Sequence, residues 1–276
     1  MPVPVSRAID VVVFPFTPDT KVEVYEDATV LKSSMIHLGI WDSEFTAAQL
    51  VADMDAAGVE KALLCAQEGG SWRVSHEYTR SLVAQFPERL CWTAGIDPRE
   101  IVAGVRRLEE AVTEHGALGA HSYPHWFRIP PDDRAFYPFY AKCVELDVPV
   151  QIQVGMAFQA GLKSVGWPGS IDTIAVDFPE LRIVGIHTGY PWEREMVSVA
   201  WKHPNVYIGA DCHHPRSFAP ELVEFIKGHG REKVMWGTNK PVFEFADHLA
   251  GVEELGLDEE TKHLFLYENV RRVYGL

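Results

Sequence analysis

Leu181-Arg182-Ile183-Val184-Gly185-Ile186-His187-Thr188-Gly189-Tyr190-Pro191-Trp192 is the stretch of sequence most informative about the fold, and it also indicates a site. Its first half is an almost continuous apolar run, which is typical of a strand buried on both faces of a parallel sheet. A histidine ends this run directly before a Gly-Tyr-Pro turn. Packing explains such a histidine poorly. His187 is therefore the first candidate for proton transfer, which imidazole performs well because its ordinary pKa is about 6.5.

Seven other apolar runs of the same kind occur along the chain. Together with the first, they predict eight strands: Ile9–Phe14, Lys61–Cys65, Leu90–Gly95, Leu118–Ser122, Val148–Val154, Leu181–His187, Val206–Ala210 and Lys233–Gly237. Segments with helical spacing lie between the strands: Thr46–Ala57, Asp133–Leu146, Ile171–Phe178, Glu193–Trp201, Pro220–His229, Val242–Leu255 and Asp258–Tyr267. A further helix is expected after Asp97, with Asp97 as its N-cap and Pro98 at its first position. Pro138 is expected to kink or interrupt the segment Asp133–Leu146.

Eight strands alternating with helices over about 250 residues predict an α/β protein with a (β/α)8 TIM barrel. A doubly wound open sheet is the alternative, although no Gly-rich phosphate loop follows the first strand. No linker or repeat interrupts the pattern, so residues 1–276 are expected to form one domain. Two irregular stretches, Thr17–Ser43 and Gly155–Ser170, are expected at the C-terminal face, where barrels form their active sites.

Composition narrows the function classes. The 276 residues carry a formal charge of −14, with 47% apolar and 23% charged residues. This acidity argues against binding to nucleic acid or to an anionic membrane, and no run approaches the length of a membrane helix. The start lacks the pattern of a secretory signal, and the four scattered cysteines are typical of reduced, buried thiols. These features predict a cytoplasmic protein that acts on a small molecule.

Polar residues at the carboxyl ends of barrel strands are the first candidates for chemistry. His121 lies at the carboxyl end of the fourth predicted strand and is the expected acid–base partner of His187. Other residues near strand ends and in the following loops are expected to bind a substrate: Gln153, Asn239, Tyr123, Trp126, Trp192 and His213. Amide and hydroxyl groups can hydrogen-bond a carbonyl or an oxyanion, and the aromatic residues suit a planar or apolar substrate.

The run Asp211-Cys212-His213-His214 has residue types that bind metals, but it lacks the separated pairs of a structural zinc site. Strand alternation also sends neighbouring side chains to opposite faces. No metal is assigned to this run on its spacing alone.

Several segments resemble the amidohydrolase superfamily, specifically the amidohydrolase-2 branch that contains aminocarboxymuconate-semialdehyde decarboxylase and related decarboxylases and lactonases. The segments are Ala8-Ile9-Asp10, Asp133–Pro138, Cys143–Leu146, Asp177–Leu181, His187–Trp192, His203–Tyr207 and Lys233–Asn239. The resemblance implies a distorted (β/α)8 barrel, frequently a dimer, and a homodimer is possible here.

The resemblance also implies a bound divalent metal, but this chain differs from the family at the positions of the metal ligands. The histidine pair of the family's first strand matches Val12 and Phe14, its fifth-strand histidine matches Gln153, and its last-strand aspartate matches Asn239. His187 matches the sixth-strand histidine, and His121 stands where a lysine is frequent. Val and Phe have no ligand atom, and neutral amides are weak ligands. No metal and no cofactor is therefore expected.

Three functions remain open on these grounds. The first is a metal-independent hydrolase that uses His-based acid–base catalysis. It would act on an activated ester, lactone or related carbonyl bond of a small aromatic or cyclic substrate. Decarboxylation is the second choice of reaction for the same site. The second is a barrel that has lost catalysis and binds a small molecule. The third is a metal enzyme with relocated ligands, drawn from His187, His213 and either Asp211 or Glu68.

Overall fold

Parallel strands in sequence order make up the centre of the molecule. A computed structural model describes residues 7–18, 35–68, 73–157 and 163–276. The strands are β1 Ala8–Val13, β2 Val59–Cys65, β3 Leu90–Gly95, β4 Ala120–Ser122, β5 Val150–Gln153, β6 Ile183–Ile186, β7 Val206–Ala210 and β8 Val234–Trp236. Each pairs in parallel with the next, in the order β1 to β8. The predicted barrel is confirmed, and the doubly wound alternative, which needs a crossed strand order, is wrong.

Helices surround the strands. Their bounds are α1 Ala47–Ala57, α2 His76–Val83, α3 Ile101–Thr113, α4 Pro124–Phe127, α5 Tyr137–Glu145, α6 Gly169–Asp177, α7 Glu193–Lys202, α8 Pro220–Lys227, α9 Phe245–Glu253, α10 Glu259–His263 and α11 Asn269–Tyr274. A π-helical turn, Leu264–Glu268, joins the last two, and short 3-10 turns cover Lys163–Gly166 and Pro215–Ser217. Among the described residues, no helix is both long enough and apolar enough to cross a membrane.

Two helix predictions were wrong in detail. Helix α3 begins at Ile101, not next to Asp97, because the Asp97 carboxylate accepts the backbone N–H of Arg99 at 2.9 Å and pairs with the Arg99 guanidinium at 2.7 Å. Pro138 does not interrupt a helix. It lies in the first turn of α5, where its missing N–H costs no helical hydrogen bond.

The irregular stretches are described only in part. Residues 19–34 of the predicted Thr17–Ser43 stretch and residues 158–162 of Gly155–Ser170 lie outside the described residues.

The barrel closes through the segment that follows β8. Asn239 donates its backbone N–H to the Val12 carbonyl at 3.0 Å, and Phe14 donates to the Lys240 carbonyl at 2.9 Å. Below this seam the buried Asp10 carboxylate accepts hydrogen bonds from the Thr238 backbone N–H and hydroxyl. The closure sets Asn239 beside the end of β1, at the carboxyl end of the barrel.

The side-chain amide of Gln151 connects several strands in the barrel interior. Gln151 on β5 donates its Nε2–H to the Val11 carbonyl at 2.8 Å, and its Oε1 lies within 3.6 Å of Cys65, 3.4 Å of Thr93 and 2.8 Å of His121. Five strands thus meet at one amide. The residues that follow this level, toward the carboxyl ends of the strands, form the floor of the site.

Candidate active site

Strained backbone marks the carboxyl ends of three adjacent strands. Among non-glycine residues, His187 and Thr188 after β6, Cys212 after β7 and Asn239 after β8 have positive φ angles of 71°, 57°, 61° and 56°. Residues with side chains rarely adopt this region, and such strain persists where the surrounding structure enforces it, often at functional sites. All three strand ends contribute to one cavity, so the strain indicates a site at the mouth of the barrel.

His187 and Asp211 form a buried pair across β6 and β7. The Nδ1 atom of His187 lies 2.7 Å from Asp211 Oδ2, and the His187 backbone N–H donates to Asp211 Oδ1 at 2.8 Å. The carboxylate is fully buried. Because a carboxylate accepts hydrogen bonds, Nδ1 carries the proton, and Nε2 is left as the basic nitrogen. The two bonds fix both the ring orientation and the tautomer of His187.

Tyr123 completes the chain from the other side. Its hydroxyl lies 2.7 Å from His187 Nε2, and its ring packs edge-on against Phe14. Burial, together with the charge of Asp211, raises the pKa of Tyr123 well above its usual value. The phenol therefore stays protonated and donates to Nε2. Carboxylate, imidazole and phenol form one continuous line of hydrogen bonds that can pass a proton.

The cavity beside this line is largely apolar. The described residues that line it are Phe14, Met35, Leu38, Ile40, Tyr123, Gln153, Met156, Ala157, His187, Tyr190, Cys212, His213, Asn239, Pro241 and Val242. Burial lowers the pKa of His213 to about 4, and burial raises the pKa of the Cys212 thiol to about 12. Both side chains are neutral near pH 7. The described wall contains no lysine or arginine.

Two amides in this wall have unused hydrogen-bonding capacity. Gln153 Oε1 and Asn239 Oδ1 are buried and have no hydrogen-bond partner within residues 7–18, 35–68, 73–157 and 163–276. Buried polar atoms are nearly always paired, so unpaired ones in a cavity wall suggest contacts completed by a ligand or by water. Either amide can present its carbonyl or, after rotation, its N–H group to a bound molecule.

The structure gathers most of the predicted site residues and separates others. His187, Tyr123, Gln153, Asn239 and His213 all line the cavity. Three others are not part of its described wall. His121 lies deeper, bound to Gln151, Trp126 is half-buried on α4, and Trp192 packs against Trp167 with ring centroids 5.4 Å apart.

Sequence reasoning did not assign Asp211 as the partner of His187; it gave that role to His121. Asp211 lies 24 positions along the chain, on the next strand, and no fixed spacing marks such a pair. Its place directly after β7 was the available signal, because carboxyl ends of adjacent parallel strands converge.

The donor set does not fit a divalent metal. Val12 and Phe14 have no ligand atom, Gln153 and Asn239 offer neutral amides, and both ring nitrogens of His187 are already engaged. Within the described ranges, the one grouping of three metal-binding side chains is Glu110, Glu114 and His115, at the end of α3, with both glutamates exposed.

Relocated ligands do not converge either. The Asp211 oxygens bind His187, and the Glu68 carboxylate accepts the His76 backbone N–H at 3.2 Å and lies 3.3 Å from Arg73. Neither carboxylate joins His213 in a three-ligand group among the residues that the structure describes.

Comparison with known proteins agrees with this architecture. A curated relative, 2-keto-4-carboxy-3-hexenedioate hydratase of Sphingobium sp., is 32% identical over 239 residues, covering 70% of this chain and 68% of the relative. An uncharacterised TIM-barrel protein of Bordetella bronchiseptica superposes with a TM-score of 0.80 at 20% identity, covering 98% of both chains. The 5-carboxyvanillate decarboxylase of Novosphingobium aromaticivorans, solved with manganese and a nitrobenzoic acid, gives 0.75 at 17%, covering 98% of this chain and 96% of that one.

The two solved structures share the fold at low sequence identity. The family model of the amidohydrolases, Amidohydro_2, matches residues 41–276, which is most of the chain. The chain belongs to the amidohydrolase-2 family.

Proposed function

We propose that this chain is a metal-independent enzyme of its family that activates water by acid–base catalysis and hydrolyses an activated ester or lactone of a small, largely apolar substrate. The observation that carries the proposal is the Asp211–His187–Tyr123 line of hydrogen bonds beside an apolar cavity. Family members are enzymes that include decarboxylases and a hydratase. The chemistry proposed for this chain follows from its own residues.

Water is the nucleophile in this mechanism. Tyr123 oxygen takes a proton from water while its own phenolic proton passes to His187 Nε2, and the water oxygen bonds to the substrate carbonyl carbon. Asp211 stabilises the imidazolium that forms. A positioned proton-transfer group of this kind contributes about 10²–10⁴-fold to the rate.

The tetrahedral intermediate then collapses. Its oxyanion accepts hydrogen bonds from the amide N–H groups of Gln153 and Asn239, each of which can contribute about 3–4 kcal/mol in a preorganised site. The carbon–oxygen bond to the leaving group breaks, and the proton returns from His187 through Tyr123 to that oxygen. An ester gives an acid and an alcohol, a lactone gives a single hydroxy acid, and the enzyme regains its starting protonation.

The apolar wall supports an uncharged substrate. The described residues of the cavity offer no lysine or arginine to hold a carboxylate, and the fully buried Asp211 carboxylate lies beneath it. Decarboxylation needs the substrate carboxylate to be held, so it is the second choice. This ranking follows the residues present, whereas several structural neighbours are decarboxylases.

A hydratase reaction is a second candidate, favoured by the curated relative at 32% identity. The same line of hydrogen bonds could add water across a carbon–carbon double bond conjugated to a carbonyl group. His187 and Tyr123 would then deliver hydroxide to one carbon and return the proton to the other.

Turnover of simple probes tests the proposal. Phenyl acetate and dihydrocoumarin are expected to release acid in a pH-stat assay with the wild-type protein but not with His187→Ala. A matched control is His229→Ala, which removes an exposed histidine stacked on Trp201. Loss of a conjugated double bond in an unsaturated acid would instead support hydration, and release of CO2 would support decarboxylation. Equal hydrolysis by the wild type and His187→Ala would contradict the assignment of His187 as the acid–base residue.

A further inference from the structure

The end of β2 carries a buried amide that the proposed mechanism does not use. Gln67 is fully buried, yet neither its Oε1 nor its Nε2 atom has a hydrogen-bond partner among the described residues. Because both atoms are unpaired, exchanging the oxygen and nitrogen positions would not resolve the deficit. A buried amide with no partner is costly, because no hydrogen bond compensates for the loss of its hydration. An amide retained there suggests a missing polar partner.

The side chain of Gln67 is directed into the barrel. Cys65, two residues earlier, contacts Gln151 in the barrel interior, whereas Glu68 faces the helices and binds Arg73 and His76. Successive side chains of an extended segment alternate between faces. Gln67 therefore shares the interior face with Cys65.

His121 on β4 carries a second unpaired polar atom. His121 donates from Nδ1 to Gln151 Oε1 at 2.8 Å, and the donation of Gln151 Nε2 to Val11 fixes that amide. His121 Nε2 is then an acceptor, and it is buried with no partner in the part of the chain that the structure describes. Burial lowers the pKa of His121 to about 4, so the ring is neutral.

Gly95 lies next to the backbone of both segments. It pairs with His121 between β3 and β4, and a Cβ atom on it would lie 2.8 Å from Gln67 Cα and 2.6 Å from the Glu68 nitrogen. The backbone at the end of β2 thus packs directly over a residue with no side chain. No β3 side chain stands between Gln67 and His121 at this level.

We propose that Gln67 and His121 form an inner polar subsite that binds an uncharged hydroxyl group. A hydroxyl hydrogen would be donated to His121 Nε2, while the hydroxyl oxygen would accept from Gln67 Nε2. A charged group does not fit, since the subsite offers one neutral amide and one neutral imidazole. Water and a substrate hydroxyl share this chemistry. The case in which the hydroxyl group belongs to a substrate rests on the proposed function, whereas the binding of a hydroxyl group as such does not.

A structure at high resolution combined with NMR tests the subsite without any turnover. An ordered oxygen atom is expected within hydrogen-bond distance of both Gln67 and His121. The 15N resonance of His121 Nε2 is expected to have the shift of a hydrogen-bonded, unprotonated nitrogen. In Gln67→Leu the oxygen atom is expected to be lost and the Nε2 resonance to move toward that of a free nitrogen.

Phenol distinguishes the two sources of the hydroxyl group. Displacement of the ordered oxygen by phenol, with affinity about tenfold weaker in Gln67→Leu, assigns the subsite to a substrate hydroxyl. An oxygen that phenol does not displace assigns it to a resident water, and the subsite still stands. Gln67→Met is a second variant in case the leucine does not fold, and the exposed Gln85→Leu is the control. No ordered oxygen, with a free Nε2 resonance in the wild type, would overturn the proposal. Failure of His187-dependent hydrolysis alone would leave it intact.

Discussion

The carboxylate of Asp211 binds His187 twice, at its ring Nδ1 at 2.7 Å and at its backbone N–H at 2.8 Å. One side chain thereby holds both the strained backbone of the histidine and its ring. His187 has a φ of 71°, so the backbone bond helps to keep a conformation that a histidine rarely adopts. The acid–base chemistry proposed for His187 depends on this double contact.

Asp211→Asn is expected to lower kcat by about 10²–10⁴-fold, because a neutral amide neither fixes the His187 tautomer nor stabilises the imidazolium. KM should change much less. Steady-state kinetics on the probe ester measure both. Asp172→Asn, which removes a surface carboxylate paired with Lys202, is the control and should leave kcat unchanged. A kcat near that of the wild type in Asp211→Asn would contradict the assigned role.

Tyr123→Phe removes the hydroxyl that lies 2.7 Å from His187 Nε2 and keeps the ring that packs on Phe14. We expect a fall in kcat of about 10–10³-fold, since the proton path to substrate is cut. Tyr137→Phe, which loses a hydroxyl bonded to Asp177 on the outside of the barrel, is the control. If Tyr123→Phe retains full kcat, water must reach His187 directly.

Thr238→Val is expected to lower the free energy of unfolding by about 1–3 kcal/mol. The hydroxyl of Thr238 donates to the buried Asp10 carboxylate and accepts the Lys240 backbone N–H at 3.1 Å, so its loss weakens the seam between β1 and the segment after β8. Urea denaturation measures the change. The exposed Thr173→Val should have little effect, and equal stability of both variants would argue against the importance of this seam.

Stability is expected to rise with pH between about 4 and 6.5. Burial lowers the pKa of four histidines to about 4 in the folded state, below the ordinary value of 6.5: His121, His125, His213 and His248. In this range the unfolded chain binds protons at these histidines and the folded chain does not, so acid favours unfolding. Burial raises the pKa of Asp10 to about 7, so Asp10 has the opposite effect on the pH dependence of stability. The stabilisation from Asp10 is present below pH 3.8 and is lost as pH rises to 7.

Four histidines outweigh one aspartate, so the net slope of stability against pH is positive. Denaturation curves across this range measure the number of protons taken up on unfolding. His248→Gln should reduce that number by about one, because His248 accepts the Trp236 indole N–H at 2.8 Å as a neutral ring outside the cavity. An unchanged slope in this variant would show that His248 is not a buried neutral group.

The barrel could be predicted from the sequence because local patterns specify it. Apolar runs such as Val206–Ala210 mark strands buried on both faces, and their alternation with helices leaves few topologies. His187 was found for the same reason, as a polar residue at the end of such a run. The start of α3 was misplaced because Asp97 and Arg99 bind each other, a pairing that competes with the capping role expected of aspartate.

Contacts across the barrel could not be predicted. The pairing of Asp211 with His187 joins strands that are separated by a helix, and the bond between Tyr123 and His187 spans 64 positions. The bonding of His121 to Gln151 rather than to His187 depends on the height of each side chain in the barrel. That height follows from strand register, which is set by the whole sheet rather than by any local spacing.

The metal content of the purified protein shows whether His187 and Asp211 act without a metal. The protein would be expressed in medium supplemented with zinc and manganese, purified without chelator, and measured by mass spectrometry of the elements. We expect less than about a tenth of an equivalent of any divalent metal per chain, because the described side chains at the barrel mouth offer no set of metal ligands. Close to one tightly held zinc or manganese ion per chain would contradict this expectation.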